Sequence, residues 1–536
     1  MPSVKNIVQI KEISVASGFV IRKNQYYDSV FLMKISKRIS DAKGVQQNAV
    51  LMGSDTNKGL LSNIGIRDTQ IDAAQPNDLI VAVIADTPQI VNDVLNKLDE
   101  YLLGGVQSVS ASNLHSFEDG LAQKPDANLV VISVPGEYAA REAHKALESG
   151  LNVFLFSDNV SIDDELDLKR FAVEKNLLVM GPDCGTSLIG GVGIGFANVV
   201  RKGSIGVIGA SGTGLQEFTS QAHNAGFGIS HAIGTGSHDL SDKIGGLTTL
   251  AALDVLEADP QTKVITLISK LPGAKTLAKL SERLKTCKQP VVGCFLGIQG
   301  EIEAGTSFQR ARLIDDAVRL SITQIADKPV FWQDQFTPQE LEWMSPEIGS
   351  WSSQQKYIRG LFAGGTFCYQ SQQIFRDADI PAYSNAPLDV KYRLADPDHS
   401  IEHTVVDMGD DHYTLGKPHP MIDGSMRKQR ILAEGRDPQV AILLLDFILG
   451  YNASMDPVGE LLEGVIEAKQ AARKRGGALT VVASICGTDD DPQDLSLQTR
   501  MLQEGGVIVF HSNAKAAHFC CALIKRRLGG CHADQS

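Results

Sequence analysis

The chain has 536 residues, 43% hydrophobic and 21% charged, so it is long enough for three or four domains of about 150 residues each. A net charge of −13, without a basic stripe carrying interleaved aromatic residues, argues against a nucleic-acid partner. The longest apolar runs, such as 441–450, contain a charge and fall short of the ~18 residues of a membrane span. The N-terminus lacks a signal-peptide pattern, and eight cysteines without a C-x-x-C pair suggest neither zinc nor disulfides. We expect a cytoplasmic protein without a metal.

The first two hundred residues predict two α/β units, over 1–105 and 106–200. Short apolar strands alternate with helices, and in the second unit glycine or proline falls at the carboxyl ends of strands, as in a parallel sheet with right-handed crossovers. The predicted strands are 18–27, 48–53, 78–85, 128–136 and 152–157, and the second unit ends with 176–185. The predicted helices are 28–40, 57–65, 87–102 and 137–150.

The rest of the chain predicts two further doubly wound α/β units, over 201–330 and 356–536. A connector at 331–355 carries all three tryptophans together with Pro, Gln and Ser, and we expect it to pack on a domain. The predicted strands begin at 205 in the third unit, continue at 262–269 and 289–297, and in the fourth unit occupy 359–365, 440–448, 478–487 and 507–512. A long helix is predicted at 456–476.

A small-residue turn follows the first strand of the third unit, in the stretch IGVIGASGTGLQEFTS (205–220). Backbone N–H groups in such a turn can approach an anion closely, and the positive end of the following helix favours negative charge. No Lys follows the last glycine, so the turn is not a nucleotide-binding P-loop. An ordinary tight turn between strand and helix would have the same composition.

The fourth unit repeats this design at GLFAGGTFCYQSQQ (360–373). Both turns should lie at carboxyl ends of parallel strands, so we expect them to meet in one pocket between the third and fourth units. Two helix N-termini could then face one anion. Two unrelated strand-to-helix loops remain the alternative.

These residues resemble a known family. The stretch 128–330 is similar to the α subunit of succinyl-CoA synthetase, and 356–536 is similar to the carboxyl-terminal domain of its β subunit. The order of units, with YYDSVFLM, MGDDHYTLGKPHPMIDGSMR, LLLDFILGYNASMDP and SICGTDDDPQ, resembles the FdrA family over nearly the whole chain. The resemblance implies a CoA-binding-like Rossmann domain at 106–200 and flavodoxin-like domains at 201–330 and 356–536. In the synthetases each of the two turns caps a helix that binds the phosphate of a phosphohistidine.

The chain departs from the synthetase pattern at two places. After VVGCFLG the synthetases carry a Gly-His-Ala-Gly sequence, whereas this chain continues IQGEIEAGTS and has no histidine between His238 and His399. The family's nucleotide-grasping domains are also missing, so we do not expect ATP-dependent ligation by this chain alone. The glycine-rich CoA-phosphate loop is missing too, although GPDCG (181–185) keeps the shape of the second CoA-side turn. We expect no cofactor, and CoA stays open.

FdrA-like proteins are associated with carbamoyl transfer, in which oxalurate plus phosphate gives oxamate plus carbamoyl phosphate during anaerobic allantoin degradation. The resemblance therefore implies a carbamoyltransferase subunit that works with other subunits and forms a homo-oligomer, with no nucleic-acid or membrane partner. An acyl-CoA synthetase and a non-catalytic CoA- or metabolite-binding assembly subunit remain the alternatives. Neither the acyl substrate nor the need for partner subunits can be read from the sequence.

The candidate residues follow from this reaction. One turn would bind one anionic group and the second turn the other. The candidates are Ser211, Gly212, Thr213 and Gly214 in the first turn, Gly364, Gly365 and Thr366 in the second, His412 or His419 as proton donor, and Lys417 or Arg427 as carboxylate clamps. The run 409–420 could instead be a surface loop with solvated charges. Cys184 and Cys368 adjoin the turns, but a buried inert thiol is the commoner state.

Overall fold

A computed structural model describes residues 16–25, 27, 29–63, 65–103, 114, 116–326, 336–414 and 417–533. The N-terminal stretch considered for a signal peptide, and the start of the connector with Trp332, lie outside the described residues. The described residues form two compact units. The first contains the residues up to Gln123 together with 417–418, and the second contains Lys124–Thr414 and the residues from His419 onward.

The first unit is a small α/β structure. Its elements are β1 (Ala16–Arg22), α1 (Ser29–Ser40), β2 (Val45–Met52), α2 (Asp55–Asn63), α3 (Thr69–Asp72), β3 (Leu79–Ala85), α4 (Pro88–Asn96), α5 (Leu98–Leu103) and α6 (Phe117–Gln123). The sheet has the order β1-β3-β2, and β3 is antiparallel to both neighbours. The seven residues of β3 are all apolar, because the strand lies between two hydrophobic clusters. The predicted α/β class of this unit is confirmed.

The second unit begins with a three-stranded parallel sheet of order β4-β5-β6, followed by a seven-stranded sheet. The elements are β4 (Leu129–Ile132), α7 (Gly136–Glu148), β5 (Asn152–Leu155), α8 (Ile162–Glu174), β6 (Val179–Met180), β7 (Thr186–Ile189), β8 (Val192–Gly195), β9 (Lys202–Gly209), α9 (Gly212–Asn224), β10 (Ile229–Gly234), α10 (Leu247–Ala258), β11 (Val264–Ser269), α11 (Ala274–Leu284), β12 (Val291–Phe295), β13 (Phe308–Ala311) and α12 (Ile314–Ile325).

The seven-stranded sheet has the order β13-β12-β11-β9-β10-β7-β8. Its first five strands are parallel, as the sequence predicts, with helices connecting them. The hairpin β7–β8 is antiparallel to β10 and extends this sheet at one edge. This hairpin was not among the predicted strands, because its segment is short and rich in glycine.

The second unit ends with a five-stranded sheet of order β15-β14-β16-β17-β18, parallel throughout. The remaining elements are α13 (Pro338–Gly349), β14 (Tyr357–Phe362), α14 (Gly365–Asp377), β15 (Thr404–Asp407), α15 (Asp411–Thr414), α16 (Ser425–Arg436), β16 (Val440–Ile448), α17 (Pro457–Lys474), β17 (Thr480–Cys486), α18 (Leu495–Glu504), β18 (Ile508–Phe510) and α19 (Asn513–Ala533). All nine residues of β16 are buried, as expected for a strand covered on both faces. The predicted class, doubly wound parallel-sheet domains, is confirmed.

The described part of the connector is the helix α13. Thr337 caps its start, accepting from the Glu340 N–H while the Glu340 side chain accepts from the Thr337 N–H. The Trp343 ring packs against Phe510 and Phe519. This part of the chain therefore packs on the end of β18 and on α19. None of the described helices has the length and apolar character needed to cross a membrane.

Candidate functional site

The two small-residue turns lie where the strand order of each sheet reverses. Strand β9 lies between β10 and β11, and the chain leaves its carboxyl end through residues 210–211 into α9. Strand β14 lies between β15 and β16, and leads through 363–364 into α14. Open parallel sheets commonly bind ligands at this position, beyond the carboxyl ends of the strands.

The first turn leaves backbone donors free at the start of α9. Ser211 caps the helix, and its Oγ accepts from the Gly214 N–H at 3.1 Å. Among the described residues, the N–H groups of Gly212 and Thr213 have no acceptor. The hydroxyl of Thr186 is buried without a hydrogen-bond partner, and a β-carbon on Gly212 would lie 3.0 Å from it. The start of α9 therefore presents several polar groups that a ligand could satisfy.

The second turn is fixed by a buried carboxylate. The N–H groups of Ala363 and Gly364 donate to Asp446, with shortest distances of 2.8 Å each. Within the described chain, the N–H groups of Gly365 and Thr366 have no acceptor. The N–H groups that are free at the start of α14 therefore belong to the two residues that directly follow Ala363 and Gly364.

The two turns touch. The hydroxyls of Ser211 and Thr366 form a direct hydrogen bond, although these residues lie 155 positions apart in the chain. A β-carbon on Gly364 would lie 3.1 Å from Thr213. The structure thus brings the seven predicted turn residues, 211–214 and 364–366, into one place, with two helix N-termini close together.

Asp407 adds a carboxylate to this place. It is the last residue of β15, only 7% exposed, and a β-carbon on Gly365 would lie 2.4 Å from its Oδ2. Burial raises the pKa of Asp407 to about 6, although the nearby Lys270 and the Gly409 N–H act in the opposite direction. Lys270 follows β11 directly, and its Nζ lies 5.8 Å from the centre of the Tyr369 ring on α14. Its positive charge favours the ionised form of the Asp407 carboxylate.

His419 lies beside Asp407, whereas His412 lies on the surface. A β-carbon on Gly409 would lie 2.8 Å from His419 Nε2 and 3.3 Å from Asp407 Oδ1. The Met421 N–H donates to His419 Nδ1 at 3.2 Å, and burial lowers the pKa of His419 to about 4. The ring is therefore neutral at pH 7 with its proton on Nε2. It can donate a hydrogen bond, but it is a poor source of protons.

The other charged candidates have different surroundings. His412 pairs with Asp398 at 3.4 Å and contacts neither turn within the described chain. Lys417 is exposed and belongs to the first compact unit. Arg427 is 3% exposed, and its guanidinium donates to Asp446 Oδ1 at 2.7 Å and to the Leu361 carbonyl at 2.8 Å. Its position fits a residue that fixes Asp446, and through it the second turn, rather than one that reaches a substrate.

Both cysteines next to the turns are buried. Burial raises the pKa of Cys184 to about 12 and raises the pKa of Cys368 as well. Thiols in this state are not nucleophiles at neutral pH. In the described part of the chain no group of three or more His, Cys, Asp or Glu residues could hold a metal ion.

Three residues of this site, Asp407, Lys270 and Asp446, were not among the residues predicted from the sequence. Two of them carried a usable signal, because a charged residue that ends an apolar strand (TVVD) or interrupts one (LLLDFI) needs an explanation. Lys270 carried none, since a lysine after a strand is ordinary.

Three family profiles match parts of the chain. The profile described as "AllF, heavy metal-associated domain" matches residues 15–118, the "CoA binding domain" profile 200–287, and the "CoA-ligase" profile 361–523. The first matched segment contains no cysteine, since the first cysteine of the chain is Cys184, so it offers no thiolate for a soft metal.

Relatives of known sequence cover the chain to different extents. The Escherichia coli (strain K12) protein YahF is 43% identical over 513 residues, which is 94% of this chain and 98% of YahF. The α subunit of an ADP-forming succinate–CoA ligase from Methanothermobacter thermautotrophicus is 28% identical over 32% of this chain and 57% of its own length. Among solved structures, acetyl-coenzyme A synthetase 1 of Ca. Korarchaeum cryptofilum, in complex with phosphate and ADP, is 16% identical with a TM-score of 0.32 and covers 75% of this chain and 83% of its own. The chain belongs to the FdrA-like family, as a succinyl-CoA synthetase α-like chain fused to a CoA-ligase domain.

Proposed function

We propose that this chain is the subunit of a carbamoyltransferase that interconverts oxalurate plus phosphate with oxamate plus carbamoyl phosphate. The observation that carries the proposal is the pair of helix N-termini joined at Ser211 and Thr366, with free N–H groups on both sides. Such donors bind two anionic groups side by side without reorganising. Phosphate and the oxalurate carboxylate are two such groups.

The surroundings of the turns support one assignment of the two anions. Phosphate fits the start of α14, because Lys270 supplies positive charge on that side. The oxalurate carboxylate fits the start of α9, where the unpartnered hydroxyl of Thr186 adds a donor. A phosphate oxygen would then attack the carbamoyl carbon between the two helices. The Nε2–H of His419 would donate to the carbonyl oxygen as it gains negative charge.

An acyl-CoA ligase is the second candidate, and the CoA-binding and CoA-ligase profiles favour it. The start of α7, which follows the first strand of the three-stranded sheet, does not fit CoA phosphates. Glu137 lies in its first turn, and a β-carbon on Gly136 would lie 2.2 Å from the Asp158 carbonyl oxygen. The carbonyl oxygens of Asp158 and Asn159 thus lie against the start of α7, where they would repel a phosphate. The reaction proposed above therefore includes no step through CoA.

The test is a phosphorolysis assay on the chain purified with its partner subunits. Oxalurate and phosphate are supplied without ATP or CoA, and carbamoyl phosphate is measured. We expect phosphate-dependent release of carbamoyl phosphate. If carbamoyl phosphate does not form, but ATP and CoA yield an acyl-CoA, the ligase candidate replaces this proposal.

A matched pair of variants locates the reaction. Ser211→Ala and Ser161→Ala each remove a helix N-cap, at α9 and at α8 respectively. Both should lower stability by about 1 kcal/mol. Only Ser211→Ala should also lower kcat/KM, by about tenfold, because only Ser211 bonds to the second turn. Equal activity in the two variants would show that the reaction does not take place at the two turns.

A further inference from the structure

The backbone of Asp407 is fixed from both sides. The Asn385 side chain accepts from the Asp407 N–H and donates to the Asp407 carbonyl oxygen, both at 2.9 Å. The side chain therefore leaves the end of β15 in a defined direction, toward the start of α14. Preorganised placement of this kind is what a reacting group needs.

One oxygen of the Asp407 carboxylate is free. Oδ1 accepts from the Gly409 N–H at 3.0 Å, whereas Oδ2 receives no hydrogen bond from any described residue. Oδ2 lies against Gly365, the residue whose free N–H opens α14. The side chain is 93% buried, and its unpaired oxygen lies beside the first residue of α14, where a bound ligand could donate a hydrogen bond to it.

The charged groups around Asp407 come from three elements. Lys270, after β11, favours the ionised carboxylate, while Asp410, after β15, and Asp446, on β16, disfavour it. Asp446 is already bound to Arg427 and to the N–H groups of the second turn. Lys270 is therefore the one unbalanced cation among these groups, and it can compensate either Asp407 or a bound phosphate.

We propose that Asp407 carries the proton of the reaction from the phosphate to the leaving nitrogen. This role rests on the proposed function. The P–OH group donates to Oδ2, and the carboxylate takes this proton as the phosphate oxygen forms its bond to the carbamoyl carbon. The bond from that carbon to the oxamate nitrogen breaks, and the Asp407 carboxyl gives the proton to that nitrogen.

The step balances without any other reactant. Oxalurate and HPO₄²⁻ become oxamate and carbamoyl phosphate, with one C–O bond formed, one C–N bond broken and one proton moved. Asp407 ends in the ionisation state in which it began. A carboxyl with a pKa near 6 can both take and return a proton near neutral pH, which an ordinary aspartate does poorly.

The test compares Asp407→Asn with Asp389→Asn in the complete complex, because Asp389 is an exposed aspartate that pairs with Lys391 at 3.1 Å. Asparagine keeps the shape of Asp407 and the acceptor for Gly409 but cannot carry a proton. We expect Asp407→Asn to lower kcat by about 10²- to 10⁴-fold, the range of general acid–base catalysis. The KM for phosphate should stay the same or fall, because a negative charge beside the anion is removed. Asp389→Asn should keep kcat within about twofold.

The pH profile separates a chemical role from a structural one. The wild-type kcat should fall below about pH 6 as Asp407 becomes protonated before the reaction. This acidic limb should be absent from the residual activity of Asp407→Asn, and the thermal midpoint of that variant should be no lower than that of the wild type. An active wild type with unchanged kcat in Asp407→Asn overturns the proton transfer alone. A wild-type complex that releases no carbamoyl phosphate overturns both this inference and the proposed function.

Discussion

Replacing Arg427 by methionine is expected to destabilise the protein strongly. Arg427 and Asp446 form a fully buried ion pair at 2.7 Å, with side chains 3% and 0% exposed. Removing one partner of such a pair leaves an uncompensated buried charge and costs about 3–5 kcal/mol. This is a large part of the roughly 5–15 kcal/mol that separates folded from unfolded domains. The loss also frees Asp446, which holds the N–H groups of the second turn.

Urea unfolding followed by circular dichroism measures this loss. Lys428→Met is the matched control, because Lys428 is the next residue on α16 and pairs with Glu463, which is exposed to solvent. A surface pair contributes at most about 1 kcal/mol. The double variant Arg427→Met/Asp446→Asn should recover at least half of the loss, since the neutral amide can still accept from the turn. Unchanged stability of Arg427→Met together with lost substrate binding would refute this reasoning and make Arg427 a substrate clamp.

Three further variants test the surroundings of the site. Gly365→Ala places a methyl group against the Asp407 carboxylate and should cost about 1–3 kcal/mol in thermal unfolding, together with lower activity; wild-type behaviour would contradict the close contact. Lys270→Met should raise the KM for phosphate about tenfold. The control Lys279→Met, which changes an exposed lysine on α11, should leave this KM unchanged, and equal KM values in the two variants would show that Lys270 does not contact the phosphate. Burial raises the pKa of Glu217 from its ordinary 4.5 to about 8, so between these pH values the native protein keeps a proton that the unfolded chain has lost. The free energy of unfolding should therefore fall as the pH rises from 4.5 to 8. Glu217→Gln should flatten this dependence, and an equally steep curve would show that another group causes it.

The sheets could be predicted because their signal is local. The nine buried residues of β16 and the helix 457–474 are visible as an apolar run and an amphipathic period. The two turns were visible for the same reason, as runs of small residues between an apolar strand and the start of a helix. Membership in the FdrA-like family followed from long motifs rather than from periodicity.

The partners of the site residues could not be predicted, because they depend on contacts far apart in sequence. In the sequence Arg427 looks like a cation that is available to bind a substrate. Only the packing of α16 on the sheet brings it into an ion pair with Asp446. His419 looks like a proton donor, and only its burial lowers its pKa to about 4. Asp407 became a candidate only when β15 was placed beside β14, next to the start of α14.

The central claim is that the paired helix N-termini bind the reacting phosphate. A crystal structure of the chain with phosphate and oxamate tests it most directly. We expect a tetrahedral anion within hydrogen-bond distance of the N–H groups of Gly365 and Thr366, and the oxamate carboxylate at those of Gly212 and Thr213. Saturating phosphate bound elsewhere, with both turns still without an anion, would contradict the account.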